Sequence, residues 1–420
     1  MIDPRLLRDD LDATAAALGR RGYARDDLDA LRDLDDRRRS LIAEVDTARA
    51  EQRSASKAIG QADPAQRGAL IQAASELKER VGRLEAELAA VESEHAAAFA
   101  RVPNLPHPDA PDGVEGDGVV LRTIGTRREL GFPARDHVEL LEPPDALDLA
   151  RGAKVSGARF AYLKGEGALL GFALVRYAID RAMVYGHVPV IPPVLVREEA
   201  MYGTGFLPTD EQQIFLTRDD DYYLIGTSEV ALAAMHMDEV LDPGDLPVRY
   251  VGYSPCFRRE AGTHGKDTRG ILRVHQFEKV ELFSFVHPDS SGDEHERILS
   301  IEEDIFAGLE IHAQVVDIPV GDLGASAARK YDLEAWLPGQ GAYREVTSCS
   351  NTTDYQARRL KARIRIAGGD NLLVHTLNGT ALAVQRAMIA LVEQHQREDG
   401  TVTVPAALQP YLGREVLFTS

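Results

Sequence analysis

The chain has 420 residues, of which 44% are hydrophobic and 27% are charged, and its formal net charge is −19. This length predicts two or three domains with a substantial core. The excess of acidic residues argues against a general nucleic-acid binder, because such a protein carries overall positive charge.

The composition also predicts where the protein works. No apolar run approaches the roughly 20 residues that a membrane span needs, and residues 1–10 lack the apolar stretch of a secretory signal. Cys256 and Cys349 are too few for a disulfide framework, and they suit a reducing compartment. We therefore expect a cytoplasmic protein with no membrane association.

The N-terminal quarter predicts a helical hairpin. Residues 1–25 read as a short helical lead-in, and from Leu28 to about His95 core positions recur in alternating steps of four and three. Residues 60–64, Gly-Gln-Ala-Asp-Pro, interrupt this pattern and predict a turn between two antiparallel helices. The expected core stripes are Leu34, Arg38, Leu41, Val45, Ala48, Gln52, Ala55 and Ile59, and then Leu70, Ala74, Leu77, Val81, Leu84, Leu88, Val91 and His95.

The turn of this hairpin is locally basic in an acidic chain. Its cations outnumber Glu51 and Asp63, and they are Arg49, Arg53, Lys57 and Arg67. Basic residues at an exposed tip favour contact with phosphates. On pattern alone, a dimerisation coiled coil or part of a helical bundle remains an equal alternative.

A linker rich in proline, glycine and aspartate spans residues 101–118 and predicts a domain boundary. We place the domains at 1–104 and 105–420. Beyond the linker, short strands and helices mix without regular alternation. This favours an α+β domain built on an antiparallel sheet.

The most charged part of the second domain predicts a hairpin with a long loop. Strand-like runs cover Tyr250–Phe257 and Ile271–Phe285, and Gly262, Gly265 and Gly270 punctuate the loop between them. Strand alternation places one set of side chains on a common face: Arg273, His275, Phe277, Lys279 and Glu281. That face suits an anion, a planar base and an ammonium group, although an exposed hairpin with cross-strand ion pairs is the alternative.

This hairpin resembles motif 2 of the class II aminoacyl-tRNA synthetases, and in detail that of the seryl-tRNA synthetases. The matching residues run from Phe257-Arg258-Arg259-Glu260 to Glu281. Two weaker patterns agree with it. The helix predicted over Glu166–Tyr185 and the proline-rich segment 188–193 resemble motif 1, which forms the family's dimer interface. The helix predicted over Ala381–His395 resembles motif 3, and we expect residues 401–420 to form an irregular tail.

The resemblance implies a class II catalytic domain with an N-terminal coiled-coil arm that grips tRNA through Arg49, Arg53, Lys57 and Arg67. It implies a serine–tRNA ligase, a cytoplasmic homodimer that joins L-serine to AMP with ATP and then transfers the seryl group to tRNA(Ser). We keep tRNA(Sec) as a second candidate acceptor. A serine-activating relative that loads a different carrier and a non-catalytic tRNA-binding regulator are the alternatives.

The resemblance also implies roles for individual residues. Catalysis would rest on Arg258, Arg386 and Glu345. ATP would be bound by Arg258, Arg259, Glu260, Arg273, Val274, Phe277, Glu345, Val346, Thr347, Ser348 and Arg386. Serine would be bound by Thr227, Ser228, Glu229, Arg258, Glu281 and Thr380. Glu345 and Ser348 would hold Mg²⁺ with the phosphates. Arg259 and Thr380 depart from the commoner family residues, and we expect both to be tolerated.

Overall fold

The computed structural model describes residues 1–261 and 269–419. Gly262 and Gly265 of the predicted loop lie outside the described residues. The chain divides into two compact units, Asp3–Val102 and Met1–Ile2 with Pro103–Ser420. Among the helices of the described residues, none combines the length and the apolar character that crossing a membrane requires.

The described residues form helices in both units. They are α1 (Leu6–Asp9), α2 (Leu11–Gly19), α3 (Arg25–Gln61), α4 (Pro64–Ala100), α5 (His137–Leu141), α6 (Leu149–Ser156), α7 (Gly165–Val184), α8 (Glu198–Thr204), α9 (Glu229–Ala234), α10 (Ser291–Gly308), α11 (Tyr355–Leu360), α12 (Val384–Gln394) and α13 (Gln409–Leu412). Short 3₁₀ turns cover Glu211–Gln213, Pro243–Asp245, Pro288–Ser290 and Val320–Asp322.

The strands all belong to the larger unit. They are β1 (Val119–Ile124), β2 (Leu147–Asp148), β3 (Tyr162–Leu163), β4 (Val188–Val190), β5 (Leu195–Val196), β6 (Phe215–Leu216), β7 (Tyr223–Leu224), β8 (Val240–Leu241), β9 (Val248–Phe257), β10 (Gln276–Val286), β11 (Ala313–Asp317), β12 (Arg329–Leu337), β13 (Ala342–Thr353), β14 (Arg363–Ile364), β15 (Leu372–Leu373), β16 (His375–Ala383), β17 (Val402–Thr403) and β18 (Val416–Leu417).

The smaller unit is the predicted helical hairpin. Helices α3 and α4 have 37 residues each, and Pro64 is the first residue of α4, where its missing N–H costs nothing. The predicted stripes are buried or half-buried along most of the arm. Near the base, however, Leu31 and Asp35 are buried while Arg38 is only half-buried. The stripe shifts there because α1 and α2 also pack against α3.

The larger unit is organised by an eight-stranded sheet, in the order β1-β11-β12-β13-β16-β10-β9-β4. Neighbouring strands are antiparallel except for the β4–β9 pair. The edge position of β4 agrees with its proline content, since proline cannot donate to a ladder. Helices α7, α10 and α12 bury apolar side chains against this sheet and form the main core. The predicted α+β fold class is therefore confirmed.

The charged hairpin is present, but its second strand is shorter than predicted. Strands β9 and β10 pair from Phe257 with Gln276 onwards, and residues 271–275 are irregular. In that segment the backbone N–H and carbonyl groups form hydrogen bonds outside the ladder of β9 and β10. The N–H of His275 donates to the Arg159 carbonyl at 3.1 Å, and the His275 carbonyl accepts from Arg258 at 3.0 Å.

The third motif was assigned wrongly as a continuous helix from Ala381. Residues up to Ala383 belong to strand β16, which pairs with β10 and β13, and α12 begins at Val384. A short apolar run does not by itself distinguish a buried strand from a buried helix. Pairing with strands far away in the chain decided the outcome.

The C-terminal segment is also more ordered than the predicted irregular tail. Strands β17 and β18 pair with each other, and helix α13 lies between them. Leu408 and Leu417 are completely buried in the main core. The segment therefore contributes to the packing of the larger unit.

Candidate active site

One cavity of about 290 Å³ collects most of the predicted site residues. They arrive from β9 and β10, from β13, and from β16 with the start of α12. The wall consists of Arg258, Glu260, Ile271, Leu272, Arg273, Val274, Phe277, Lys279, Lys330, Glu345, Val346, Thr347, Ser348, Thr380, Ala383, Gln385 and Arg386.

Arg258 follows the end of β9 and is tied to the segment before the predicted serine residues. Its Nε donates to the Gly226 carbonyl at 3.2 Å. Its guanidinium carbon lies 5.3 Å from the centre of the Phe277 ring. The cation therefore stands beside the flat aromatic side chain that the family resemblance assigns to ATP binding.

A second cation and a carboxylate face each other across β13 and α12. The Arg386 Nη1 atom lies 3.2 Å from Glu345 Oε1 and also donates to the Glu345 carbonyl at 3.1 Å. Burial acts to raise the pKa of Glu345, but the neighbouring cations, above all Arg386 and then Lys330, outweigh it and lower the pKa to about 2. Glu345 is therefore an ionised oxygen donor at neutral pH.

Glu260 and Arg273 form the third charged pair of the wall. Their Oε2 and Nη1 atoms are 3.5 Å apart. Glu260 has a φ of +48°, in the left-handed region that a residue other than glycine rarely adopts. Strained backbone of this kind occurs frequently at functional sites.

Lys279 is a wall residue to which the sequence analysis gave no role. Its Nζ lies 2.5 Å from Glu281 Oε2, and the Glu281 side chain is completely buried. Glu281 also accepts from Asn378 at 3.1 Å and from Thr380 at 3.4 Å. The period-two spacing of Phe277, Lys279 and Glu281 was the signal that could have identified the pair.

The predicted serine residues that precede and begin α9 do not line the cavity. Thr227, Ser228 and Glu229 are buried, and Gln356 donates to Glu229 Oε1 at 2.8 Å. In the described part of the chain the Ser228 hydroxyl has no hydrogen-bond partner. Burial, and next the charge of Glu281, raise the pKa of Glu229 to about 7. The structure buries these residues together but does not place them in the wall of this cavity.

Arg259 is the predicted ATP residue that the structure separates from the site. It is exposed and does not line the cavity. Its neighbours Arg258 and Glu260 both do, as expected for residues that flank it with a period of two. Contact of the Arg259 side chain with ATP therefore stays a prediction without structural support.

The wall fits a magnesium ion that is shared with a phosphate ligand. Within residues 1–261 and 269–419, no group of three His, Cys, Asp or Glu side chains could hold a metal ion. Mg²⁺ nevertheless commonly takes only one or two carboxylates from the protein and the rest of its ligands from phosphates and water. The ionised Glu345 and the Ser348 hydroxyl both line the cavity and supply hard oxygen donors of this kind.

Comparison with known protein families covers both units. Residues 1–106 match the seryl-tRNA synthetase N-terminal domain. Residues 214–395 match the tRNA synthetase class II core domain for G, H, P, S and T. The second range includes every predicted ATP and serine residue.

Two curated relatives match almost the whole chain. The serine–tRNA ligase of Acidothermus cellulolyticus is 52% identical over 417 residues, 99% of each chain. Serine–tRNA ligase 1 of Streptomyces avermitilis is 51% identical over 421 residues, again 99% of each. The chain belongs to the seryl-tRNA synthetase family. The family predicted from the sequence is thus confirmed, and its members, the serine–tRNA ligases, are ATP-dependent aminoacyl-tRNA synthetases.

Solved structures agree with this family. Seryl-tRNA synthetase from Pyrococcus horikoshii, determined with ATP, superimposes with a TM-score of 0.92 at 41% identity and 99% coverage of both chains. The enzyme from Naegleria fowleri, determined with AMP, gives 0.87 at 31% identity, covering 99% of this chain and 98% of that one. These matches give no support to the carrier-loading and regulatory alternatives.

The raised pKa of Glu229 predicts a pH-dependent cost in stability. The folded state keeps the proton from about pH 4.5 to 7 while the unfolded state loses it, so the free energy of unfolding falls as pH rises through that window. Glu229→Gln should remove this decline and be more stable than the wild type by about 1–3 kcal/mol at pH 8, with little difference at pH 4.5. Urea unfolding at a series of pH values measures the effect.

The exposed residue Glu415 offers a matched control. Glu415→Gln should leave the pH dependence of the wild type unchanged. A constant difference between wild type and Glu229→Gln at all pH values would show that the pKa of Glu229 is the same in the folded and unfolded states, and would contradict the raised value.

Proposed function

We propose that this chain activates L-serine with ATP and transfers the seryl group to tRNA(Ser). The observation that supports this proposal is that residues of motif 2, of motif 3 and of strand β13 line one cavity, in a chain of the seryl-tRNA synthetase family. In the first step a serine carboxylate oxygen attacks the α-phosphorus of ATP and pyrophosphate leaves. In the second, a hydroxyl of the terminal tRNA ribose attacks the seryl carbonyl carbon and AMP leaves.

The first step needs positioning and charge stabilisation more than acid–base chemistry. The serine carboxylate is already ionised at neutral pH, so no general base is required. Arg258 is a planar donor that can hold the serine carboxylate and the α-phosphate together. Arg273 and Arg386 would hold the outer phosphates, while Phe277 would stack on the adenine ring. Preorganised cations of this kind lower the barrier because they need no rearrangement during reaction.

Serine recognition would rest on two buried acids and a hydroxyl. Glu229 and Glu281 can accept from the substrate ammonium and hydroxyl groups, and Thr380 lies 3.4 Å from Glu281. Alanine lacks the hydroxyl of serine, so it would leave buried polar atoms of the site without hydrogen-bond partners. Such a site therefore rejects alanine. Thr227 and Ser228 precede Glu229 in the same buried segment.

Magnesium is the cofactor we propose for the phosphates. Glu345 and Ser348 would hold it, and the ion would neutralise charge that develops on the departing pyrophosphate. Val346 and Thr347 lie between them in β13 and also line the cavity.

Removal of the α-phosphate cation tests the proposed reaction. Arg258→Ala should reduce serine-dependent exchange of pyrophosphate into ATP by about 10²–10³-fold, the scale for losing one preorganised donor. The measurement is the exchange rate with each amino acid in turn, and the wild type should respond to serine far more than to alanine or threonine.

Arg218→Ala is the matched control, since this arginine is exposed, lies outside the cavity wall and has no predicted role. It should keep near wild-type exchange. Near-normal exchange in Arg258→Ala would remove Arg258 from the site, and better exchange with another amino acid would overturn the assignment of serine.

The helical hairpin is the proposed tRNA-binding domain, residues 1–104. Along its length, cross-helix ion pairs join Arg37 to Glu87, Arg49 to Glu85 and Arg80 to Glu51. Arg49, one of the predicted tRNA residues, is therefore partly neutralised.

The other predicted tRNA-binding residues are more accessible to phosphates. Arg53, Lys57 and Arg67 are exposed, and no ion pair involving them occurs in the described residues. Cations without a protein partner attract phosphates more strongly than paired ones do. Both tRNA(Ser) and tRNA(Sec) are candidate ligands for this surface.

Neutralising these three cations should weaken tRNA binding without affecting adenylate formation. A triple Arg53→Gln, Lys57→Gln, Arg67→Gln variant should lower tRNA(Ser) affinity and reduce its salt dependence by a slope of about one per lost phosphate contact. Binding titrations at several salt concentrations, together with pyrophosphate exchange, measure the two effects separately.

A control variant can remove the same charge from paired positions of the arm. Arg32→Gln, Arg37→Gln and Arg80→Gln together should change tRNA affinity much less, because each of these arginines faces an acid. Equal losses in both triple variants would indicate that only the total charge matters.

A homodimer formed through the first motif is the proposed assembly. Helix α7 buries one face in the core but exposes Phe172 at 67% and Val184 at 72%. Val188 on edge strand β4 and Ile191 just beyond it are 56% and 87% exposed. Large apolar side chains in such a group mark an interface.

Charged substitutions on this surface should separate the subunits. Phe172→Glu with Ile191→Glu should convert the dimer to a monomer at micromolar concentration, because unpaired charges would be buried. Analytical ultracentrifugation measures the mass. Val114→Glu, at a 64% exposed apolar residue of the linker, is the control and should leave the mass unchanged; a monomeric wild type would refute the proposal.

We infer the compartment of the protein from the state of its cysteines. Cys256 and Cys349 are free and buried, which is consistent with the cytoplasm we propose.

A further inference from the structure

A buried histidine outside the cavity holds part of its wall. The segment 271–274, called here the wall segment, contributes Ile271, Leu272, Arg273 and Val274 to the cavity. It precedes β10, which begins at Gln276, so no ladder of strand hydrogen bonds fixes it. The N–H of Ile271 donates instead to Nε2 of His137 at 3.2 Å.

His137 is fixed in turn by Glu393. Both side chains are buried, at 3% and 0% exposure. Oε1 of Glu393 accepts from the His137 backbone N–H at 3.0 Å and lies 3.1 Å from Nδ1, and Oε2 accepts from the Gly339 N–H at 2.9 Å. The carboxylate is therefore satisfied by partners that also orient the ring.

These contacts define the tautomer of His137. Because Ile271 offers an N–H, Nε2 must be the acceptor, so the proton of the neutral ring sits on Nδ1 and points to Glu393. The ring thus links helix α12 to the backbone of the wall segment. Helix α12 also carries Arg386 in its first turn, so the same helix supports the wall segment through Glu393 and supplies a residue of the cavity.

The adjoining residues approach His137 closely as well. A Cβ on Gly270, whose φ is +79°, would lie 1.9 Å from Nε2 of His137. Arg269 Nη1 lies 2.8 Å from Oδ2 of Asp136, the residue before His137. Arg269 and Ile271 are therefore bonded to Asp136 and His137, and Gly270 between them leaves no room for a side chain.

We propose that His137 is a positioning residue for nucleotide binding. Its Nε2 acceptor fixes the backbone of the wall segment and so orients Arg273 and Val274 towards ATP. The inference rests on the proposed function in one respect, namely that the cavity binds ATP. Glu393 acts through His137 by fixing the ring and its tautomer.

Two substitutions of His137 by amide side chains of different length test the positioning role separately from an effect on folding. His137→Gln places a carbonyl oxygen near the position of Nε2 and can still accept from Ile271. His137→Asn places its amide near Nδ1, within reach of Glu393, and leaves Ile271 without an acceptor. The Asn variant should raise the ATP Kd and the ATP KM by roughly five- to fiftyfold, the scale of one buried donor left unpaired.

The expected pattern has three parts. The Gln variant should restore ATP affinity close to that of the wild type. In the Asn variant, kcat at saturating ATP and the KM for serine should change much less than the ATP KM. The two variants should unfold at similar temperatures, since each removes one of the two ring contacts.

The binding measurement distinguishes failure of the positioning role from failure of the proposed function. Calorimetric titration with Mg–ATP in the absence of serine measures the ATP Kd directly. Failure of serine-dependent exchange in the wild type would overturn the proposed function and leave this titration valid. Equal ATP affinity in the Gln and Asn variants would overturn the positioning role while the proposed function stood.

A second pair of variants decides the matter if His137→Asn does not fold. Gly270→Ala would drive a methyl group into His137, whereas Gly413→Ala introduces the same change at a φ of +68° with no atom within 4 Å. Gly270→Ala should weaken ATP binding and Gly413→Ala should not. Unchanged ATP affinity in Gly270→Ala would overturn the proposal.

Discussion

The ion pair between Lys279 and Glu281 allows a charged site to exist in the middle of a sheet. Strand β10 pairs on both sides, and its side chains from Val280 to Val286 are buried. A lone carboxylate there would be costly, but a cation at 2.5 Å and donors from Asn378 and Thr380 satisfy it. Breaking such a pair leaves an uncompensated charge, which is why the surrounding contacts must all be kept.

The charged partners of each buried acid also explain why Glu229 and Glu345 differ in protonation. Glu229 and Glu281 lie close enough to interact, and Lys279 forms its ion pair with Glu281. Burial and like charge then favour a proton on Glu229 near neutral pH. Glu345 shows the opposite result, because Arg386 lies 3.2 Å away and keeps it ionised. Glu229 and Glu345 thus differ in charge because their nearest partners differ.

The distribution of charge reconciles an acidic chain with a tRNA ligand. The net charge of −19 suppresses indiscriminate attraction to nucleic acid. In the arm, three cross-helix ion pairs neutralise cations at Arg37, Arg49 and Arg80. Arg53, Lys57 and Arg67, for which the described residues show no ion pair, lie nearer the turn. Positive charge is therefore local, which favours a single mode of phosphate contact over many weak ones.

The sequence alone determined the features that depend on local periodicity and on the chemistry of a motif. Alternating steps of four and three specified the helical hairpin, since each helix must bury its own stripe. Arg258, Glu260 and Phe277 were identifiable because strand alternation and the family motif both specify them. The proline in β4 restricts that strand to the edge of the sheet, because proline has no N–H to donate to a second neighbouring strand.

The tertiary structure alone decided the contacts between distant parts of the chain. His137 and Ile271 are 134 residues apart, and no local pattern indicates that one accepts from the other. The start of α12 at Val384 and the pairing of Arg49 with Glu85 likewise depend on neighbouring elements. Periodicity reports which face of an element is buried, whereas the identity of the partner on that face is fixed only when the elements pack.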